Sequence, residues 1–522
     1  MDTRRVLRTT GTVIAAAGLF LSGCTTGGSA PGAAASGPGR AATTGADPAA
    51  TPAALAPYYR QKLTWRACGV PGFECATMKA PLDYARPASQ GGKDIELAVA
   101  RKKATGPGKR LGSLLVNPGG PGGSAIGYLQ AYAGIGYPAP VRARYDMVAV
   151  DPRGVARSAP VECLTGPAMD AYTQVDQSPD SPAEQAALVE AFKKFAQGCA
   201  QRSGTVLPHV STVEAARDMD VLRAVLGDEK LNYVGASYGT FLGATYADLF
   251  PSRAGRLVLD GAMDPSRPAV DLNRDQTEGF ETAFRSFAKD CAAQPDCPLG
   301  QGNPDEMGRR LKDFFRKLDA QPVGTGEPRT LGESLATTGV IAAMYDESAW
   351  PQLRQAITDA MNGDGAGLLA LADSYYEREA DGTYQNLMFA NAAVNCLDLP
   401  PAFRGPQDVQ AALPSFEKAS PVFGPGLAWA SLNCAYWPVK ATGTPHRLEA
   451  KGAAPIVVVG TTRDPATPYK WAQALAGQLD SGVLLTYDGD GHTAYGRGSD
   501  CIDSTINRYL LEGAPPKDGK RC

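Results

Sequence analysis

Histidine is scarce in this chain, with 3 copies in 522 residues, so a search for a general base has only His209, His446 and His492 to weigh. Charge is also in short supply. Charged residues make up 20% of the chain, a little under the usual quarter, and the formal net charge is −3. Without a basic excess, the composition offers no surface for nucleic acid or for an anionic membrane. No Cys-x-x-Cys pair occurs, which argues against zinc ribbons and thioredoxin-like redox sites, and no metal or cofactor is expected. The apolar run at residues 13–21 is too short for the roughly 20 residues that cross a bilayer. Glycine (59) and proline (41) are abundant, partly in one N-terminal stretch and otherwise in loops. The length allows a large core plus a second domain or lid.

Residues 1–24 read as an address. Arg4, Arg5 and Arg8 form a positive n-region and residues 13–21 an apolar h-region. Leu21-Ser22-Gly23-Cys24 looks like a bacterial lipobox, with small residues before the cleavage point and Cys24 as the lipid acceptor. Residues 25–57 are mostly Ala, Gly, Ser, Thr and Pro, too poor in large side chains to offset ordering entropy, and read as a flexible tether. The expectation is an exported monomer held at the cell surface, touching the membrane only through that lipid.

Eleven cysteines less Cys24 leave ten, an even set that in an exported protein points to disulfides. Connectivity is not fixed by sequence. Spacing favours the local pairs Cys68–Cys75, Cys163–Cys199, Cys291–Cys297, Cys396–Cys434 and Cys501–Cys522.

Apolar, β-branched runs at 113–117, 146–150, 231–235, 256–260, 455–460 and 483–487 alternate with helical segments. This is the pattern of a mostly parallel sheet covered on both faces, an α/β fold. Residues 74–81 and 95–102 read as an antiparallel start to the same sheet. Residues 184–199 read as an amphipathic helix, and Ser211-Thr212-Val213-Glu214 as a capping box opening a helix that stops at Gly227. Between 265 and 446 clean strands give way to helical stretches such as 281–289 and 307–318. That predicts a helical cap inserted between the sixth and seventh core strands, with the core formed by 58–264 and 447–522.

Gly235-Ala236-Ser237-Tyr238-Gly239 matches G-x-S-x-G. The match gains weight because it follows the strand at 231–235 and opens a helical stretch at 240–250, the setting in which a strained serine projects from a sheet edge. A serine hydroxyl needs a base to become a nucleophile. Of the three histidines, only His492, after the last strong strand, gives the chain order serine, acid, histidine. Asp464, in the loop after the preceding strand, is the expected acid, with Asp260 and Asp264 as rivals. Asp488-x-Asp490 mimics the start of a calcium loop, but Thr493 and Ser499 stand where that loop needs Gly and Glu. The glycine-rich loop from Asn117 to Ser124 follows a strand and lacks a Walker lysine. Gly119 and Gly120, together with Tyr238 after the serine, are the expected oxyanion donors.

With Asn117-Pro118-Gly119-Gly120-Pro121-Gly122, Asp151-Pro152-Arg153-Gly154 and the serine motif in place, residues 58–522 resemble a known group. It is the tripeptidyl aminopeptidases of actinobacteria and their mycobacterial relatives described as carboxylesterases or serine proteases, themselves related to proline iminopeptidases. The resemblance implies an α/β-hydrolase fold, peptide substrates and release of short peptides from a free N-terminus through an acyl-enzyme on Ser237. It also implies an acidic anchor for the substrate amine near the cap, with Asp398 in Asn395-Cys396-Leu397-Asp398 as the local match. Asn117 replaces the histidine that leads the glycine loop in proline iminopeptidases, which weakens any expectation of strict proline specificity. Rival expectations are a carboxylesterase or lipase, or an endopeptidase, using the same three residues, and a non-catalytic surface binding lipoprotein.

Overall fold

The computed structural model describes residues 52–522. The expected export signal, Cys24 and residues 25–51 of the expected tether lie outside the described residues. From Ala53 the chain forms short helical turns, Ala53–Leu55 and Ala56–Tyr59, and Tyr58 is buried in the core.

Ten strands form one sheet: β1 Arg66–Ala67, β2 Glu74–Pro81, β3 Asp94–Lys102, β4 Gly112–Asn117, β5 Tyr145–Val150, β6 Leu231–Ala236, β7 Ala254–Asp260, β8 Ile456–Arg463, β9 Gly482–Asp490 and β10 Lys520–Arg521. Their spatial order is β1-β2-β3-β5-β4-β6-β7-β8-β9-β10. Pairings from β1 through β3 to β5 are antiparallel and the rest are parallel. All six residues of β4 are buried, as expected for a strand covered on both faces. One apolar layer joins β2, β3 and β7 to the helices of the insertion, and a second lies on the opposite face against helix Asp500–Glu512.

The observed strands match the expected ones within a few residues. The largest differences are at β8 and β9, where Thr461 to Arg463 and Asp488 to Asp490 extend the strands by three residues each beyond the expected ends. After an irregularity at Thr461 the register shifts so that Arg463 of β8 pairs with Asp490, and its guanidinium bonds Asp488 at 3.0 Å, which carries the ladder onward. The helix expected after Ser211 spans Thr212–Val225, and Ser211 accepts the Glu214 N–H. Only half of the capping box forms, because the Glu214 carboxylate turns instead to Arg153 at 2.5 Å.

Between β7 and β8 run the helices Ala269–Ala292, Pro304–Ala320, Glu333–Met344, Trp350–Met361, Ala366–Tyr376, Leu387–Asp398, Pro406–Ala419 and Gly424–Ala430. Pro304–Ala320 shows why they form. Asn303 accepts the Glu306 N–H at 3.0 Å, and Met307, Leu311, Phe314 and Leu318 recur on one buried face. Helix Pro182–Ser203, which precedes β6, joins the same layer: Leu188 and Phe192 pack with Phe403, Phe416 and Trp429. Disulfides link Cys68–Cys75, Cys163–Cys199, Cys291–Cys297, Cys396–Cys434 and Cys501–Cys522.

Candidate active site

β6 ends at Ala236 and the helix Tyr238–Leu249 begins two residues later, leaving Ser237 on the turn with φ 56° and ψ −126°. A residue with a β-carbon held there is strained by about 1–3 kcal/mol. Neighbours hold it in place. Its N–H donates to the Asp260 carbonyl at 2.9 Å, and its own carbonyl accepts the Thr240 N–H at 2.8 Å and hydroxyl at 2.6 Å. A β-carbon on Gly239 would stand 2.9 Å from two oxygens of Asn117, so only glycine lets the turn seat against β4. Ser237 itself stays partly exposed.

The loop after β4 lies against this turn. A β-carbon on Gly119 would come within 2.8 Å of Ser237 Cβ and 2.9 Å of the Tyr238 nitrogen. The Gly119 N–H is not free, however: it donates to Asn117 Oδ1 at 2.9 Å. That corrects the expectation for Gly119, whose amide is spent on shaping the loop. Among the described residues, the N–H groups of Gly120 and Tyr238 donate to no protein acceptor.

His492 Nδ1 lies 2.8 and 3.0 Å from the two oxygens of Asp464. The carboxylate also accepts the N–H groups of Ala466 (2.9 Å), Thr467 (2.8 Å) and Thr493 (3.2 Å). Held as an acceptor on both oxygens, it fixes Nδ1 as the protonated nitrogen and leaves Nε2 as a base. Asp464 is fully buried, whereas the His492 side chain keeps 12% exposure. The rival acids are committed elsewhere. Asp260 accepts the N–H groups of Ala494 and Tyr495, shaping the loop that carries His492, and burial pushes its carboxyl up. Asp264 accepts from Ser266 and Gln478. The other histidines are remote from this chemistry. His209 sits 3.9 Å from Glu214, and His446 is exposed and contacts the Thr444 carbonyl.

Asp398 does not face the site. Thr212 donates to it through its N–H at 2.9 Å and its hydroxyl at 2.5 Å, and the Thr212 hydroxyl also meets Tyr238 at 2.5 Å. Asp398 therefore seats the first turn of the helix Thr212–Val225 behind the nucleophile turn, and is corrected from substrate anchor to support. Its burial pushes the carboxyl up to about 7, against the Thr212 hydrogen bonds that lower it. Arg153 of the Asp151-Pro152-Arg153-Gly154 motif is also structural. It is fully buried, forked onto Asp218 at 2.7 Å, and bonded to the carbonyls of Pro81, Leu82 and His209.

Sequence reasoning missed the cap residues that touch the site. The Tyr345 carbonyl accepts the His492 N–H at 2.9 Å, and its ring stands edge-on to the imidazole at 5.5 Å. Asn391 donates to the Pro121 carbonyl at 3.2 Å, and Leu387 Cδ1 would lie 3.4 Å from a β-carbon on Gly120. Glu377 follows the helix Ala366–Tyr376 in a left-handed conformation, φ 52° and ψ 44°. Burial, then the Glu379 charge, pushes its carboxyl up to about 7, and among the described residues no group donates to it. Its αL backbone leaves no mark in the sequence. Between the cap helices and the segment from Tyr172 to Phe192 that precedes β6 lies a cavity of about 190 Å³ lined by Phe280, Thr337, Tyr375, Tyr376 and Met388, among others, and no lining side chain carries a charge.

A mostly parallel sheet that delivers serine, acid and histidine from the ends of β6, β8 and β9 in that chain order is the α/β-hydrolase arrangement, and the chain is a serine hydrolase of this fold. Residues 420–522 match the TAP-like protein family. The chain is 38% identical over 490 residues to serine protease Hip1 of Mycobacterium tuberculosis, covering 89% of this chain and 92% of that protein. It is 38% identical over 455 residues to carboxylesterase B of the same organism, covering 86% of each. Identity to tripeptidyl aminopeptidase of Streptomyces coelicolor is 33% over 466 residues, covering 86% of this chain and 83% of that protein. The chain belongs to this family of TAP-like serine hydrolases.

Proposed function

We propose that the enzyme is an aminopeptidase that releases short peptides from free N-termini through an acyl-enzyme on Ser237. The observation that carries the mechanism is the His492–Asp464 pair at 2.8 Å, with His492 Cε1 3.2 Å from where a β-carbon on Gly261 would stand, the residue after the Asp260 whose carbonyl accepts the Ser237 N–H. Ser237 Oγ attacks the scissile carbonyl while His492 Nε2 takes its proton. The N–H groups of Gly120 and Tyr238 stabilise the oxyanion. His492 returns the proton to the leaving amine, and water, deprotonated by the same imidazole, then releases the acyl group.

The tripeptidyl aminopeptidase relative supports the choice of a free amine. The uncharged cap cavity and the carboxylesterase relative favour a second reading, an esterase with the same acyl-enzyme. The signal-like N-terminus, the even cysteine set and Cys24 support an enzyme outside the cell, lipid-anchored through Cys24.

The test compares kcat/KM on a tripeptide anilide with a free amine, its N-acetylated twin and a short-chain ester, with Ser237→Ala as control. A large loss on acetylation, with all activity gone in Ser237→Ala, supports the aminopeptidase. Equal rates on the two peptides, or turnover of the ester alone, overturns it in favour of an endopeptidase or an esterase.

A further inference from the structure

The cap cavity lies one layer of side chains from both halves of the catalytic machinery. On one side, Tyr345 touches the His492 imidazole and, behind it, Phe280 (5.7 Å between rings) and Tyr375 (6.2 Å), which both line the cavity. On the other side, Leu387 lies against the Gly120 turn, and its neighbour Met388 lines the cavity. Tyr345 on one side and Leu387 on the other thus form the wall that this cavity shares with the catalytic residues.

At about 190 Å³ it exceeds the roughly 150 Å³ cavity that accepts a benzene ring, so it has room for a large side chain. Its walls combine aromatic and aliphatic surface with hydroxyl and amide groups, and none carries a formal charge. A charged side chain placed there would lose its hydration without gaining a counter-ion, whereas an apolar or aromatic one would gain by leaving water.

We infer that this cavity is the acyl-side specificity pocket, taking an uncharged, apolar or aromatic side chain of the substrate and rejecting lysine, arginine, aspartate and glutamate. The inference rests on the reading that Ser237 carries the acyl group. It goes beyond that reading by naming which acyl groups are accepted and which wall selects them. Thr337, on the helix Glu333–Met344, is the residue through which the selection can be altered.

The experiment measures kcat/KM for tripeptide anilides in which leucine, phenylalanine, lysine and glutamate are exchanged in turn at each acyl-side position. Active sites are counted by fluorophosphonate titration of Ser237. The wild-type enzyme is expected to reject lysine and glutamate by about 100-fold at one position. Thr337→Asp is expected to improve the lysine-to-leucine ratio there by about tenfold or more. Titration of Ser237 together with acceptance of all four side chains within threefold at every position overturns the pocket and leaves the acyl-enzyme standing. An unchanged ratio in a folded Thr337→Asp overturns it too, and if that variant does not fold, the wild-type series decides alone. Failure of Ser237 to titrate overturns the acyl-enzyme reading and this inference with it.

Discussion

Tyr345 of the cap holds His492 of the core at two points: its carbonyl accepts the His492 N–H at 2.9 Å, and its ring meets the imidazole at 86°. The base is thus oriented by Asp464 from below and by the insertion from above. Arg497 adds a third restraint, donating to the His492 carbonyl at 2.6 Å.

Tyr345 should therefore behave as a positioning residue. Tyr345→Phe keeps the ring and the carbonyl and is expected to stay within a few-fold of wild type. Tyr345→Ala removes the ring and should lower kcat by roughly tenfold with a smaller change in KM, as expected when only the reacting geometry is loosened. Steady-state kinetics with a pH–rate profile check this. A loss confined to KM would place Tyr345 in substrate binding instead.

Asp464→Asn should lower kcat by about 10⁴-fold, because an amide no longer enforces protonation at Nδ1 and the histidine can present the wrong nitrogen to Ser237. The variant should still fold, since its amide oxygen can keep accepting from Ala466 and Thr467. Circular dichroism alongside kcat separates the two effects.

The strands were legible from their β-branched runs, and Ser237, Asp464 and His492 from chain order at strand ends, because both signals are local. The contacts across the cap were not. That Tyr345 meets His492, or Leu387 the Gly120 turn, depends on how helices more than a hundred residues away dock, and no periodicity encodes it. Asp398 misled for the same reason: an acid that matches the anchor implied by the resemblance looks available until Thr212 is seen on both of its oxygens. The Gly119 amide was misassigned because Asn117, read only as a departure from a histidine, is itself the acceptor.

Asn117→Ala should loosen the glycine loop by leaving the Gly119 N–H without its acceptor. Because Gly120 is the next residue, kcat is expected to fall by roughly tenfold, less than the hundredfold or more that follows direct loss of an oxyanion donor. Measuring phosphonylation of Ser237 in parallel would locate the defect at the oxyanion if both rates fall together.

Asp398 predicts a pH dependence of stability. Its carboxyl rises from 3.8 to about 7 in the folded protein, so the native state binds its proton more tightly than the unfolded chain does. The stabilisation is complete below about pH 4 and is lost as the pH rises through about 7. Glu214 and Glu377, both pushed up to about 7, act with the same sign. Asp398→Asn, which can still accept from the Thr212 N–H, should flatten the decline in Tm between pH 4 and 7. A decline of unchanged slope would contradict that assignment.

The most direct measurement is mass spectrometry of the protein after reaction with a fluorophosphonate, repeated on Ser237→Ala and His492→Ala. One adduct on the peptide containing Ser237, absent in the first variant and formed far more slowly in the second, is the predicted result. Labelling at another residue, or a rate at Ser237 indifferent to His492, would contradict the mechanism.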